Sequence, residues 1–284
     1  MGPISFPNLG IEINPSRVAF SLFGKEIYWY GIIIAVGFIL AVIYGMRRAG
    51  DFGLNGDMIL DMLFVAVPAA VICARLYYCI FEWSSYKDDP ISILYIWEGG
   101  IAIYGAVIGA VIAVLIFCKV KRLPFLPLAD IGALGLLIGQ MVGRWGNFIN
   151  REAFGAETDS FLKMGLSYAN SGIKYYHPTF LYESLWNLVG FILLHFLSKK
   201  RKFDGQVFAG YVAWYGLGRV WIEGLRTDSL YLFGTGIRVS QLLAAVSAIA
   251  AIGVMIYVIR VKKPDGSGLY VNKIRAEEAD TQEI

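Results

Sequence analysis

The chain is short of charge, of histidine and of any long polar stretch. Charged residues make up 17% of its 284 residues, against roughly 25% in soluble globular domains. The net charge of +3 is too small to point to nucleic acid. Cysteine is scarce as well. Cys73, Cys79 and Cys118 sit in apolar runs without CxxC spacing or a flanking histidine. That excludes a disulfide framework and a metal cluster, and leaves burial as their role. Residues 1–26 carry Pro3, Pro7 and Pro15 and lack a basic stretch ahead of a short apolar core, so no cleavable signal peptide is expected. The last apolar run has no lysine, which argues against a seven-span light sensor. No inter-run segment is long enough for a separate soluble domain.

What the chain has is apolar surface. Hydrophobic residues are 57% of the total and mean hydropathy is +0.59, the composition of an integral membrane protein. Seven runs approach the roughly 20 residues a helix needs to cross a bilayer: about 27–46, 57–81, 99–118, 129–149, 178–197, 205–225 and 239–259. The expected fold is all-α, one multi-pass membrane domain over 1–263, followed by a solvated, disordered tail over 264–284.

Basic residues give the orientation. Arg47 and Arg48, then Lys119, Lys121 and Arg122, then Lys199 to Lys202, then Arg260, Lys262 and Lys263 follow alternate spans. Cations cluster on cytoplasmic loops, so the N-terminus is expected outside and the C-terminus inside. Each strong polar residue of the spans then falls in the outer half: Tyr30, Arg75, Tyr104, Arg144, Asn147, Asn150, His177, Tyr182, Glu183, Arg219, Glu223 and Arg226. Gln140, Arg144, Asn147 and Arg151 share helical spacing, as do Tyr215, Arg219, Glu223 and Arg226. The pattern predicts an outward-facing polar cavity with more arginine than acid. Intramembrane cations face protein interiors, and guanidinium forks match phosphate oxygens. In an outer leaflet the abundant phosphate is a lipid headgroup.

Blander roles exist for several of these. Arg75 can pair with Glu98 or snorkel outward. Tyr28 and Trp29 fit an aromatic belt, Gly105 and Gly109 fit helix packing, and His195 fits packing at the inner end of span five. His177 precedes Pro178 at a helix start.

These residues also carry a resemblance. Tyr28-Trp-Tyr-Gly31, Ala74-Arg75-Leu76, Glu98-Gly-Gly-Ile-Ala-Ile-Tyr-Gly105, Gly143-Arg-Trp-Gly-Asn-Phe-Ile-Asn-Arg-Glu152 with Phe154-Gly155, His177-Pro-Thr-Phe-Leu-Tyr-Glu183, Gly218-Arg219 with Glu223 and Arg226, and Ser240-Gln241 together resemble the prolipoprotein diacylglyceryl transferases, a family of bacterial membrane enzymes. The resemblance runs through nearly the whole chain. It implies seven spans in the cell membrane, no metal or organic cofactor, and transfer of a diacylglyceryl group from phosphatidylglycerol to the lipobox cysteine of a preprolipoprotein. It places Arg144 and Arg219 on the phosphate, Asn147 on the headgroup or the substrate backbone, and Tyr30 in the headgroup pocket or beside the thiolate. Glu152, Glu223 and Arg226 support or gate the site, and Asn150, Gly155, His177 and Arg75 join the substrate contacts. Tyr104 stands where some members carry histidine. A phenol with an ordinary pKa near 10 is a poor base at neutral pH, so Tyr104, His177 and Glu152 all stay open for that role. A transporter for an anionic solute is the alternative, but it needs an inner-half polar path, and the sequence offers little there besides His195.

Overall fold

The computed structural model describes residues 2–168, 172–227, 231–232 and 235–282. Seven long helices follow the seven apolar runs: α1 Trp29–Arg48, α2 Gly56–Phe81, α3 Ile103–Lys121, α4 Phe125–Asn150, α5 Thr179–Lys199, α6 Gln206–Leu225 and α7 Val239–Tyr257. Six of them, all but α6, are long and apolar enough to cross a membrane. Gln206, Arg219 and Glu223 lower the hydropathy of α6, and it packs against α4, α5 and α7. A helix so enclosed can keep a polar face.

Small residues set how closely the helices approach. A Cβ built on Gly105 would stand 2.4 Å from the Cys73 carbonyl oxygen, and one on Gly109 2.5 Å from the Cys73 Cβ. These glycines let α3 lie directly on α2. Between α5 and α6, Trp186 and Trp214 stack with centroids 4.3 Å apart. Each indole N–H donates to the other's carbonyl oxygen, at 3.0 and 2.9 Å. Both pairs of groups are thereby satisfied where water is scarce.

The helices alternate in direction. At one end Lys121 pairs with Asp61 at 3.3 Å, and the fully buried Asp130 of α4 accepts the N–H groups of Gly205 and Phe208, both at 2.8 Å. That carboxylate caps the start of α6. This is the basic end, where α1, α3 and α5 finish in Arg48, Lys121 and Lys199.

Three features depart from the sequence expectations. First, the opposite end carries β-structure that an all-α fold leaves out. β1 (Ile4–Phe6), β2 (Ile11–Ile13), β5 (Met164–Tyr168) and β6 (Gly172–Tyr176) form an antiparallel sheet in the order β2-β1-β5-β6, and β3 (Val18–Leu22) with β4 (Lys25–Tyr28) forms a hairpin. Ile4, Phe6, Met164 and Leu166 alternate inward onto Phe148 and Phe180 at the ends of α4 and α5, the period-two burial of a one-sided sheet. Second, residues 99–102 are not helical. Gly99 and Gly100 take φ of 92° and 70°, which breaks the run, and α3 begins at Ile103. Third, the tail is ordered: α8 spans Tyr270–Gln282, while Glu283 and Ile284 lie outside the described residues. Its charged composition reads as solvated, but Leu269 and Val271 are buried and the Tyr270 N–H donates to Asp204 at 2.8 Å. Two apolar residues and one cap anchor the helix.

Candidate active site

The cap-side end of α4 is positioned by two contacts. A Cβ on Gly146 would meet the Tyr30 ring at 2.6 Å, so this glycine lets the α1 tyrosine lie against α4. The Trp145 indole N–H donates to Ser184 Oγ at 3.2 Å, and that hydroxyl donates to the Met141 carbonyl at 2.9 Å. The pair fixes α4 against α5 and turns Glu183 toward Arg144.

Glu183 is the centre of what results. It is 6% exposed. One carboxylate oxygen pairs with Arg144, and the other faces Arg219 and Arg226 at 3.7 Å each and accepts no hydrogen bond. Arg219 also pairs with Glu223 at 2.6 Å. Glu223 is held in turn by the start of α7: Ser240 donates to its carboxylate at 2.7 Å, and Gln241 donates to the Val220 carbonyl at 2.7 Å. Among the described residues, three guanidiniums thus converge on two buried carboxylates. Charges held this far from water interact strongly.

A hydrogen-bonded chain runs outward from this centre. Arg144 donates to Asn147 at 3.3 Å, and the Asn147 amide donates to Glu152 at 2.9 Å, as does Asn150 at 3.4 Å. On the far side Gly155 bridges Arg226, and the Gly155 N–H donates to the His177 carbonyl at 2.9 Å. A Cβ on Gly155 would stand 2.7 Å from His177 Cβ and 2.8 Å from the Leu225 carbonyl. His177 Nδ1 lies 3.4 Å from the Tyr182 hydroxyl, and burial holds its pKa below the ordinary imidazole value.

The void at the charged centre is only about 10 Å³, about one water; the arginines close on Glu183. Two larger recesses lie along α1. One, of about 580 Å³, is lined by Tyr28, Tyr30, Gly31 and Asn150. The other, of about 470 Å³, is apolar and runs between α1, α4 and α5 past Trp29, Trp145 and Leu188.

The structure therefore brings together Tyr30, Arg144, Asn147, Asn150, Glu152, Gly155, His177, Arg219, Glu223 and Arg226. It does not bring in Arg75. That side chain is 5% exposed and donates to the carbonyls of Ser92, Ile93, Gly99 and Gly100 at 2.6–3.0 Å. Its donors hold the α2–α3 connection; the Glu98 side chain lies outside the described residues. Tyr104 is half exposed at the start of α3, and no contact among the described residues ties it to the cluster. Arg151, expected on one face with Arg144, instead caps α4 at φ 55° and donates to Asn14 and Pro15 of the N-terminal segment. His195 bonds Tyr44 and Arg48 at the basic end, at 2.7 and 2.9 Å. Sequence reasoning placed Glu183 in the outer half with the other polar residues but gave it no role in the site. Its signal was present: the one acid inside span five, facing arginines in excess.

Comparisons with known proteins follow the same residues. The model of the prolipoprotein diacylglyceryl transferase family matches residues 17–257. A Lysinibacillus sphaericus protein named phosphatidylglycerol–prolipoprotein diacylglyceryl transferase is 44% identical over 256 residues, 87% of this chain and 93% of its own length. Proteins of the same name from Listeria monocytogenes serotype 4a and Pediococcus pentosaceus are each 45% identical, over 88% and 86% of this chain and 92% and 90% of their own lengths.

Proposed function

The chain belongs to the prolipoprotein diacylglyceryl transferase family, and we propose that it moves the diacylglyceryl group of phosphatidylglycerol onto the lipobox cysteine of a preprolipoprotein. The observation that carries this reading is the convergence of Arg144, Arg219 and Arg226 on one buried carboxylate, Glu183. In the reaction the cysteine sulfur attacks the glyceryl carbon, a C–S bond forms, and the C–O bond to phosphate breaks. Glycerol phosphate leaves with the electron pair, and the product is a thioether. Negative charge gathers on the phosphate, and preorganised cations aimed at it supply the main stabilisation.

In the resting site Glu183 occupies the forks that phosphate needs. The headgroup phosphate takes its place on Arg144 and Arg219, whose planar donors match phosphate oxygens, and the void opens as the ion pairs exchange partners. Glu223 keeps Arg219 aimed. Asn147, held by Glu152, donates to the headgroup or to the substrate backbone. Tyr30 borders the headgroup recess, and the apolar recess beside it suits an acyl chain. The thiol proton goes to His177, which burial keeps neutral near pH 7. Arg75 and Tyr104 act on the shape of the α2–α3 side, outside the reacting centre.

We place the site toward the outer leaflet of the bacterial cytoplasmic membrane, with α1–α7 as seven spans, the N-terminus outside and the basic end in the cytoplasm. Relatives named as transferases leave an anion transporter without support. The test is incubation of the purified protein with phosphatidylglycerol labelled in its diacylglyceryl group and a lipobox peptide. Diacylglyceryl label on the peptide cysteine is the expected outcome. Label that stays in lipid, or that transfers equally to a Cys→Ser peptide, overturns the reading.

A further inference from the structure

The described residues hold a second polar recess far from the arginine cluster, of about 380 Å³, at the basic end. Arg48 and Asp51 line it from α1 and the turn that follows. Lys199 and Arg201 line it from the end of α5, and Arg275 of α8 lines it from the tail. Its cations are held in place. Arg48 bonds Asp51, the Tyr44 hydroxyl at 3.1 Å, His195 at 2.9 Å and Ser198 Oγ at 3.1 Å. Arg201, 8% exposed, donates to the carbonyls of Ser198 at 2.9 Å and Asp51 at 2.6 Å and lies 4.2 Å over the Phe52 ring. Its Nε is buried without a hydrogen bond.

The acids beside Arg48 and Arg201 already have partners. Asp51 pairs with Arg48. Asp130 accepts the amides that start α6. Asp204, 3.9 Å from Arg201, caps α8. Four cations and one carboxylate line a recess whose volume lies within the range of small-molecule sites. Guanidinium and ammonium groups in that surplus select an anion, and phosphate is the anion whose oxygens fit forked donors.

We propose that this recess binds a phosphate-bearing group of glycerophosphate size, and that its occupancy clasps α8 to the bundle. The group reaches it either as the headgroup of an anionic phospholipid in the leaflet at the basic end or as a soluble phosphate ester. The inference stands apart from the transferase reading, since it uses none of that site's residues.

Amide hydrogen exchange of the full chain in zwitterionic lipid nanodiscs tests it, with phosphatidic acid added to the disc in one arm and glycerol phosphate added to solution in the other. At a ligand level about ten times Kd, exchange across residues 270–276 slows about tenfold. The slowing is lost in Lys199→Ala/Arg275→Ala, two exposed positions. It is kept in Arg260→Ala/Lys262→Ala, exposed cations at the same end that do not line the recess. Slowing by the disc lipid alone assigns a headgroup, slowing by glycerol phosphate alone assigns a soluble ester, and slowing by both assigns the shared phosphate group from either source. No slowing with either probe, slowing that survives loss of Lys199 and Arg275, or equal loss in both double variants overturns the proposal, the last because it reads only diffuse surface charge.

Discussion

Glu183 and its three arginines are a charge arrangement that works only with a partner. A buried carboxylate among guanidiniums is stable while each charge is matched, and removing one partner from a buried pair costs about 3–5 kcal/mol. Glu183→Ala is therefore expected to unfold at markedly lower temperature. Glu183→Gln keeps the shape and removes the competitor for phosphate. It should lower turnover, because the arginines lose their organiser, while inhibition by glycerol phosphate tightens. Weaker or unchanged inhibition in a folded Glu183→Gln protein means that Glu183 does not hold the phosphate position. In the proposed mechanism His177 gives the pH dependence. Burial lowers its pKa, so the neutral, proton-accepting form persists below the ordinary imidazole value of 6.5 and is lost as pH falls further. The acid limb of kcat/KM should therefore lie below pH 6.5 and disappear in His177→Gln, leaving a low, flat rate. A limb unchanged in that variant assigns the proton to another group. Arginines were legible from composition alone, since a cation in an apolar run needs an explanation. Their assignment was not. Arg75 and Arg144 look alike in sequence, and only the carbonyls around Arg75 show that its donors are already taken.

Each helix was legible where its apolar run was long, and edges failed where glycine or a local cap decided. Gly99 and Gly100 shorten the third helix because positive φ is open to glycine and foreign to a helix. The sheet stayed hidden for a different reason. Strands of three to five residues, paired between segments about 160 positions apart as Ile4 and Leu166 are, leave a weak trace beside twenty-residue runs. That sheet matters to the site because it braces the ends of α4 and α5, which hold Arg144 and Glu183. The strand-like passage at Gly155 is equally strict. With His177 Cβ and the Leu225 carbonyl both under 3 Å from an added Cβ, Gly155→Ala must displace His177 or the end of α6. Transfer activity is expected to drop at least tenfold. Gly139→Ala on α4, where an added Cβ meets nothing, is the matched control and should stay near wild type.

The molecule as a whole separates two chemistries by depth. The charged centre, the asparagine–glutamate chain and the sheet lie at one end, and the arginine- and lysine-bearing helix termini lie at the other. Hydropathy and loop charge made that polarity readable, although Gln206, Arg219 and Glu223 keep α6 below the hydropathy of the other six helices. Single cysteines placed at Ala156 and at Lys121, in a protein whose own three cysteines are replaced by alanine, report it directly. Ala156→Cys should react with an impermeant thiol reagent in intact cells, and Lys121→Cys only after permeabilisation. The reverse pattern inverts the orientation and moves the site to the inner leaflet.

The central claim is that Arg144 and Arg219 grip phosphate by fork geometry as it takes up charge. Lysine at either position keeps the charge and loses the planar donors. The direct measurement is single-turnover transfer of labelled diacylglycerol to a lipobox peptide by Arg144→Lys and Arg219→Lys, with folding checked by melting temperature. Losing one such donor lowers the rate roughly 10²–10³-fold, and the account predicts that loss in each variant while both stay folded. Near-normal turnover in both folded variants would contradict it, because charge alone would then suffice.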